Sequence, residues 1–499
     1  MAESLPIRTT RRTVLKMEFV GRGEQLAQLE SLWRKGAASL VTCQGRRRIG
    51  KSRLLDEFAA RSGGRCLKIS GLAPRRRMSN RDQLRYFCET LASRTGRPAE
   101  IANGWPDAFR QLGSAIRECG PGRVVVILDE VSWMGGWDPD FPGYLKDAWD
   151  DDFKRNANLV FVLCGSVSAW IQHNILDSTG FVGRISLELE ISELPVDVCL
   201  RFWRQAERSV SAREVFDMLS VTGGVPRYLE EIDPLLTTDE NLRRLAFSKE
   251  GTLFQDFSRI FNDVFGPRAK TKRMMLEALS TGSKTLSEIA TAIGKGRGGH
   301  VSEALEELEL AGFVARDRSV NPETGEAAKI DRYRIRDNYT RFYLRFIAPY
   351  SAMIRGGAFK FASLDALPGW DAVLGLQFEN LVLNNVASIV GALGLERSLV
   401  LSAAPYRKVA RTGGADRGGC QIDLLLQLRQ AMYVVEVKRR ARIDAGIVDE
   451  VREKIARLPN PRGLSVRPVL VYDGVLSPAA NENGFFAAVF RAADLFLKR

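Results

Sequence analysis

The run Gly45-Arg46-Arg47-Arg48-Ile49-Gly50-Lys51-Ser52 sets two glycines, a lysine and a hydroxyl at the spacing G-x-x-x-x-G-K-S. Glycines let the chain curl tightly enough for several main-chain N–H groups to face one anion. The run follows an apolar segment at 39–43 and opens an amphipathic stretch at 52–62, so it joins a strand to a helix start. The helix N-terminus adds partial positive charge at the same spot. Such a turn suits the grip of a triphosphate. Gly45 and Gly50 shape the loop, Lys51 reaches the β- and γ-phosphates, and Ser52 offers a hydroxyl to Mg²⁺. The expected cofactors are therefore ATP and Mg²⁺. The three arginines between the glycines either screen phosphate or face solvent, and their types leave both readings open.

A second group complements the first. Five apolar residues at 124–128 end in Asp129 and Glu130. In an open α/β sheet, ligands bind at the carboxyl ends of the strands. Asp129 is expected in the Mg²⁺ shell, and Glu130 is expected to orient and polarise an attacking water, which is a hydrolytic role. Another apolar run, 159–163, leads to Ser166, a small polar residue placed to sense a γ-phosphate. Arg184 and Arg227 are candidates for the positive charge that phosphoryl transfer needs. Whether Arg184 would serve its own chain or a neighbour's stays open.

A third group lies near the C-terminus. Asp423 opens one apolar run, and Glu436 and Lys438 close the next, with a short polar turn between. The period of two along a strand puts Glu436 and Lys438 on one face. Two carboxylates there would coordinate Mg²⁺ and the lysine would position or activate water, the requirements of metal-assisted phosphodiester hydrolysis. Glu379, on an upstream amphipathic helix, would add a third carboxylate. Asp449, Glu450, Glu453 and Lys454 on the following helix offer further polar groups, with no basis in the sequence for choosing among them.

These groups need scaffolding. Apolar runs at 39–43, 66–69, 124–128 and 159–163 read as buried parallel strands separated by helices. After 187 the strands are expected to stop and helices to take over as far as 266. Residues 273–279, 286–293 and 299–311 then read as three helices. A hairpin follows, with 313–316 pairing 331–335 across the turn 321–325. The third helix carries Glu303, Glu306, Glu307 and Glu309, so it suits a lever or spacer better than a DNA reader. His300 reads as a helix-start residue. Beyond 349 the pattern gives a helix near 376–386, strands at 422–428 and 432–437, a helix at 448–458 and a strand at 469–472.

Three further signatures accompany the glycine-rich loop. These are Phe19-Val20-Gly21-Arg22-Gly23-Glu24-Gln25-Leu26, the Gly165-Ser166 strand end, and Gly223-Gly224-Val225-Pro226-Arg227. Together they resemble the AAA+/STAND-like ATPases of archaeal type. The resemblance implies base contacts near Phe19, Val20 and Pro226, with Arg227 beside them, and a γ-phosphate sensor at Ser166. The spacing D-x12-E-x-K at Asp423, Glu436 and Lys438, preceded by a helical glutamate, resembles the PD-(D/E)xK nucleases. That resemblance implies metal binding at Asp423 and Glu436, support from Glu379, and Lys438 as the catalytic lysine. Ile422 stands where those nucleases often have proline.

The expected fold class is thus α/β. A P-loop NTPase parallel sheet (17–205) is followed by a helical lid (206–268), a winged helix-turn-helix (269–345) and a C-terminal α/β domain (350–499) of restriction-endonuclease-like, nuclease-like type. A flexible basic tail (1–16) precedes them. The expected activity is ATP hydrolysis coupled to Mg²⁺-dependent DNA binding or cleavage. The alternative is a signalling or scaffold ATPase whose last domain binds without cutting.

Composition agrees. The 499 residues carry 73 Lys+Arg against 60 Asp+Glu. Residues 401–499 alone hold a balance of +7, which suits a polyanionic partner, nucleic acid and DNA first. A homo-oligomer is an open second partner. No apolar run reaches the ~18 residues of a membrane span, and the N-terminus lacks an apolar signal core. Seven scattered cysteines form no CxxC pair, so reduced thiols in the cytoplasm are expected. Only two histidines are present, which turns any metal site toward carboxylates.

Overall fold

The computed structural model describes residues 19–497 except 76, 167–168, 266–268, 297, 319–320, 323, 325, 327–330, 362, 409–417 and 482–483. The expected basic tail and part of the turn at 321–325 lie outside the described residues. Strands β1 (Ser39–Gly45), β2 (Arg65–Ser70), β3 (Val124–Asp129), β4 (Leu159–Ser166) and β5 (Ile185–Glu190) form one sheet in the order β2-β3-β4-β1-β5. Every pairing in it is parallel. Helices α1 (Gly23–Ser31), α2 (Lys51–Ser62), α3 (Asn80–Thr95), α4 (Trp105–Glu118), α5 (Val131–Gly135) and α6 (Phe141–Asp151) accompany it.

The pleat explains why the central strands are apolar throughout. Val125, Ile127, Val160 and Val162 enter one core, while Val124, Val126, Leu128, Phe161 and Leu163 enter another on the opposite face. β5 corrects the expectation that strands end at 187. Its sequence ISLELE alternates and only Leu189 is buried, as suits the edge of a sheet, so it offers no continuous apolar run.

Next come α7 (Ala212–Thr222), α8 (Pro226–Leu229), α9 (Thr238–Ala246) and α10 (Thr252–Phe265). The three helices expected after them are α11 (Ala269–Leu279), α12 (Leu286–Ala292) and α13 (Gly299–Leu310). A capping box starts α12: Thr285 N donates to Glu288 Oε2 at 2.7 Å and Glu288 N to Thr285 Oγ1 at 3.2 Å. The hairpin is present as β7 (Val314–Asp317) and β8 (Arg332–Ile335), antiparallel with Val314 opposite Ile335. A short β6 (Lys284–Thr285) completes the sheet β6-β8-β7.

After α14 (Asn338–Phe342) and α15 (Trp370–Asn384), the C-terminal sheet contains β9 (Ser402–Lys408), β10 (Cys420–Gln427), β11 (Ala431–Ile443), β12 (Ser465–Leu476) and β13 (Ala488–Arg491). Their order is β13-β12-β11-β10-β9. β9–β10 and β10–β11 are antiparallel, whereas β11–β12 and β12–β13 are parallel. Helix α16 (Gly446–Arg457) crosses between β11 and β12. The sequence reading lacked β9 and β13, both edge strands of this sheet.

One apolar core is continuous through all these parts, holding Val41 and Ile127 together with Phe216, Tyr339, Phe378 and Val435. Among the described residues no single helix is long and apolar enough to cross a membrane. One bent pair, Trp370–Asn384 with Val386–Ala392, passes that test by composition, and its Phe378, Leu381 and Val382 lie in the core.

Candidate nucleotide and carboxylate sites

The glycine-rich loop leaves the end of β1 and enters α2. A Cβ on Gly45 would lie 2.4 Å from the carbonyl oxygen of Ile191, and Gly50 has φ +90°, so both positions require glycine. Lys51 is 7% exposed, and its Nζ donates to the carbonyls of Gly45 at 2.8 Å and Arg46 at 3.1 Å. The ammonium is thereby held beneath the loop that would wrap a phosphate. Ser52 Oγ donates to Asp129 Oδ2 at 2.9 Å, across 77 positions of sequence. A hydroxyl and a carboxylate together are the hard oxygen donors that Mg²⁺ prefers, so these residues fit that ion. Lys68, which the sequence reading missed, stands 3.9 Å from Asp129 Oδ2 and donates to Asp56 Oδ1 at 2.7 Å.

Glu130 takes a left-handed backbone conformation, φ 52°, where β3 turns into α5. Its carboxylate accepts from Ser166 Oγ at 3.3 Å and from Ser166 N at 3.4 Å. Asp129, Glu130 and Ser166 therefore gather with the loop at the carboxyl ends of β1, β3 and β4.

Two other segments flank the loop. Arg22, also left-handed with φ 61°, sends Nη2 to the carbonyl of Ile49 at 3.1 Å and to that of Ser192 at 2.6 Å. Burial lowers its guanidinium to about 10. Phe19 and Val20 pack on the core beside it. From the second side, Leu194 N donates to Gly224 O at 2.8 Å, and a Cβ on Gly50 would meet Pro226 Cγ at 3.7 Å. Arg227 turns to its own segment, with Nη2 2.7 Å from Glu231 Oε1.

The three loop arginines meet other parts of the protein. Arg46 Nη1 lies 2.7 Å from Asp337 Oδ1 and 3.4 Å from Glu193 Oε1. Arg47 stacks over Trp133 at 4.9 Å, and Arg48 is ion-paired with Asp256 on α10. Each binds another part of the protein.

Arg184 stands away from the loop of its own chain. Ile185, the next residue, pairs with Leu40, at the end of β1 opposite the loop. At ~3.3 Å per residue, β1 separates it from Gly45 by roughly 17 Å. Its Nη2 and Nε instead reach Asp150 at 2.7 and 3.1 Å, so it does not serve the loop of its own chain.

In the C-terminal sheet, a bulge in the β9–β10 pairing between Ile422 and Leu425 re-aims Asp423. Asp423 Oδ2 accepts from Val437 N at 2.8 Å. Glu436 and Lys438 share the face that α16 covers, as their spacing requires. Lys438 Nζ lies 2.7 Å from Glu436 Oε1 and donates to Glu450 Oε1 at 2.6 Å. The fully buried Glu436 also receives Lys454 Nζ on both oxygens, at 2.6 and 2.7 Å. Glu450 and Lys454 are thus the members of α16 that the sequence could not single out.

Glu379 rides on α15, whose apolar residues pack with Val435 and Val437 on the other face of the sheet. Its charge is felt at Asp423, whose carboxyl is pushed up to about 8 by burial, then by Glu436 and Glu379. Among the described residues no three His, Cys, Asp or Glu side chains are arranged to hold a metal ion. Of the expected metal set Glu379, Asp423 and Glu436, the latter two lie on neighbouring strands, with Leu424 opposite Val435 beside them. Lys438 and Lys454 both bring their ammonium groups to Glu436.

Comparison with known proteins bears on the first site. Residues 19–232 match the model of an ATPase domain found predominantly in Archaea. An uncharacterized protein of Methanocaldococcus jannaschii, MJECL04, is 24% identical over 369 residues, covering 72% of this chain and 75% of that protein. Among solved structures, the Walker-type ATPase of Pyrococcus abyssi is 18% identical with a TM-score of 0.46, covering 66% of this chain and 96% of the other. The ORC2 protein of Aeropyrum pernix, in ADPNP–ADP complexes, is 15% identical with a TM-score of 0.43, covering 70% and 99%. With the site geometry and the matched family model, residues 19–232 carry an ATPase domain of archaeal type.

Proposed function

We propose that this chain is a switch that binds and hydrolyses Mg²⁺-ATP and couples that cycle to nucleic acid, DNA first, held by its C-terminal domain. The hydrogen bond between Ser52 and Asp129, with Glu130 and Ser166 alongside, carries the reading. Main-chain amides of the loop and Lys51 bind the phosphates, and Phe19, Val20 and Pro226 border the base. Ser52 and Asp129 hold Mg²⁺, which when bound neutralises charge on the β- and γ-phosphates. Glu130 orients water, and Ser166, hydrogen-bonded to it, links that water to the γ-phosphate. The module at 269–345 acts as a winged helix that passes motion on rather than reading sequence. The reading places the protein in the cytoplasm, with Arg184 available only to a neighbouring copy.

ATP turnover by Lys51→Ala and Glu130→Gln tests this. We expect Lys51→Ala to lose binding and Glu130→Gln to bind ATP while turning over ~10²–10⁴-fold more slowly. Wild-type turnover in both would overturn it.

For the C-terminal domain, the occupation of Glu436 by Lys438 and Lys454 favours holding nucleic acid over cutting it. The cutting reading predicts Mg²⁺-dependent DNA cleavage that Asp423→Ala and Lys438→Ala abolish. The holding reading predicts salt-sensitive DNA binding without cleavage.

A further inference from the structure

Helix α7 touches both sites. At its C-terminal end, Thr222 Oγ1 donates to the carbonyls of Met218 and Gly223, each at 3.0 Å. The turn that follows is wedged in place. A Cβ on Gly224 would stand 2.1 Å from Leu194 O, and Pro226 abuts Gly50 of the phosphate loop. Arg213, in the first turn of α7, and Asp217, at its middle, lie one turn apart, with Nε 3.3 Å from Oδ1. Arg213 Nη1 is 3.3 Å from Asp473 Oδ2 on β12. Arg439 of β11, 4% exposed, pairs with the same Asp217 and lies 3.5 Å from Asp473. Arg439 directly follows Lys438. Between the two ends, Phe216 meets Phe378 edge-on at 5.7 Å, and Phe378 directly precedes Glu379.

An 11-residue helix spans about 16 Å, and a close-packed interior transmits its displacement as a unit. The charged cluster, which reaches from its first turn to its middle, adds direction. Apolar side chains would hold the two parts together as well or better, but they would not fix Arg439 in one orientation.

We propose that α7 is the transmitting element between the two sites. In this scheme, contacts made by a nucleotide at the Gly224–Pro226 turn pass along α7 to Asp217, Arg439 and Asp473. They thereby set the order of β11 at Glu436 and Lys438. Arg439 and Asp217 are positioning residues in this scheme, which rests on the nucleotide reading above and runs beside, not through, the 269–345 module.

Amide hydrogen exchange on the full chain carrying Glu130→Gln tests it, with ATP binding followed by titration calorimetry in the same buffer. Mg²⁺-ATP is expected to slow exchange across 432–443 by on the order of tenfold, within the usual range of coupling between sites. Asp217→Asn is expected to keep ATP binding and lose most of that slowing. Arg213→Met, which alters only the 48%-exposed arm of the cluster, guards against a folding defect and should lose part of it. Bound ATP with unchanged exchange at 432–443, or full slowing in Asp217→Asn, would overturn the proposal. No ATP binding at all would instead remove the nucleotide reading and this scheme with it.

Discussion

Arg46 of the phosphate loop and Asp337, 291 positions later, form an ion pair with contacts of 2.7 and 3.0 Å. Asp337 is fully buried and also caps α14, accepting from Tyr339 N at 3.2 Å and Thr340 N at 3.0 Å. The loop is thereby tied to the segment that follows the β7–β8 hairpin. Removing one partner of a buried pair typically costs ~3–5 kcal/mol. Arg46→Met should lower stability by about that amount in urea unfolding. Arg46→Met with Asp337→Asn should recover part of it, because the fully buried Asp337 carboxylate is then not left without its partner. Equal losses in the single and double variants would contradict the pair's role.

Arg22 holds the loop from outside through two carbonyl oxygens, and hydrogen bonds from a charged donor are worth ~1.5–3 kcal/mol each. Arg22→Ala should therefore lower the melting temperature and weaken ATP binding together, since Ile49 lies inside the loop. Differential scanning calorimetry with and without Mg²⁺-ATP measures both.

Glu436 depends on its lysines. Lys454→Met would leave a buried carboxylate with Lys438 alone, and the variant should unfold at lower denaturant at neutral pH. The same variant should take up Mn²⁺ more tightly than the wild type, because a carboxylate edge is freed. Calorimetric titration with MnCl₂ decides, and no uptake would count against any latent metal affinity at this position.

Burial pushes the carboxyl of Glu193 above the ordinary glutamate value of 4.5, with the charge of Asp337 adding and that of Arg46 opposing. The folded protein then holds this proton more tightly than the unfolded chain does. Its contribution to stability is complete below pH ~4.5 and declines as pH rises through the folded value. Glu193→Gln should show a flatter loss of stability as pH rises above ~4.5, read by denaturant midpoints at each pH.

Arg184, bound to Asp150 at the edge opposite the loop, offers a mixing test. Arg184→Ala and Lys51→Ala should each be inactive alone and partly active together, if one copy lends its arginine to another. Mixtures no more active than their parts would exclude that.

The loop, the strand ending in Asp129 and Glu130, and the Glu436–Lys438 spacing were all legible because local patterns encode them. One is a glycine spacing, one an apolar run and one a period of two. The missing strands β5, β9 and β13 are edges with few buried residues, so hydrophobic patterning barely marks them. The partners of Arg46, Arg48 and Lys454 could not be read, because ion pairing depends on which distant segments the fold brings together. Which end of its strand Arg184 stands on was unreadable for a related reason: a motif gives the type of residue but not its place on the sheet.

The apolar interior shared by Val41, Phe216, Phe378 and Val435 has a practical meaning for anyone dissecting this chain. A cut near residue 349 would not separate two finished bodies. It would leave two raw oily faces in water, prone to clump. The boundaries visible in the sequence mark kinds of architecture, whereas the piece that melts and refolds together is far larger.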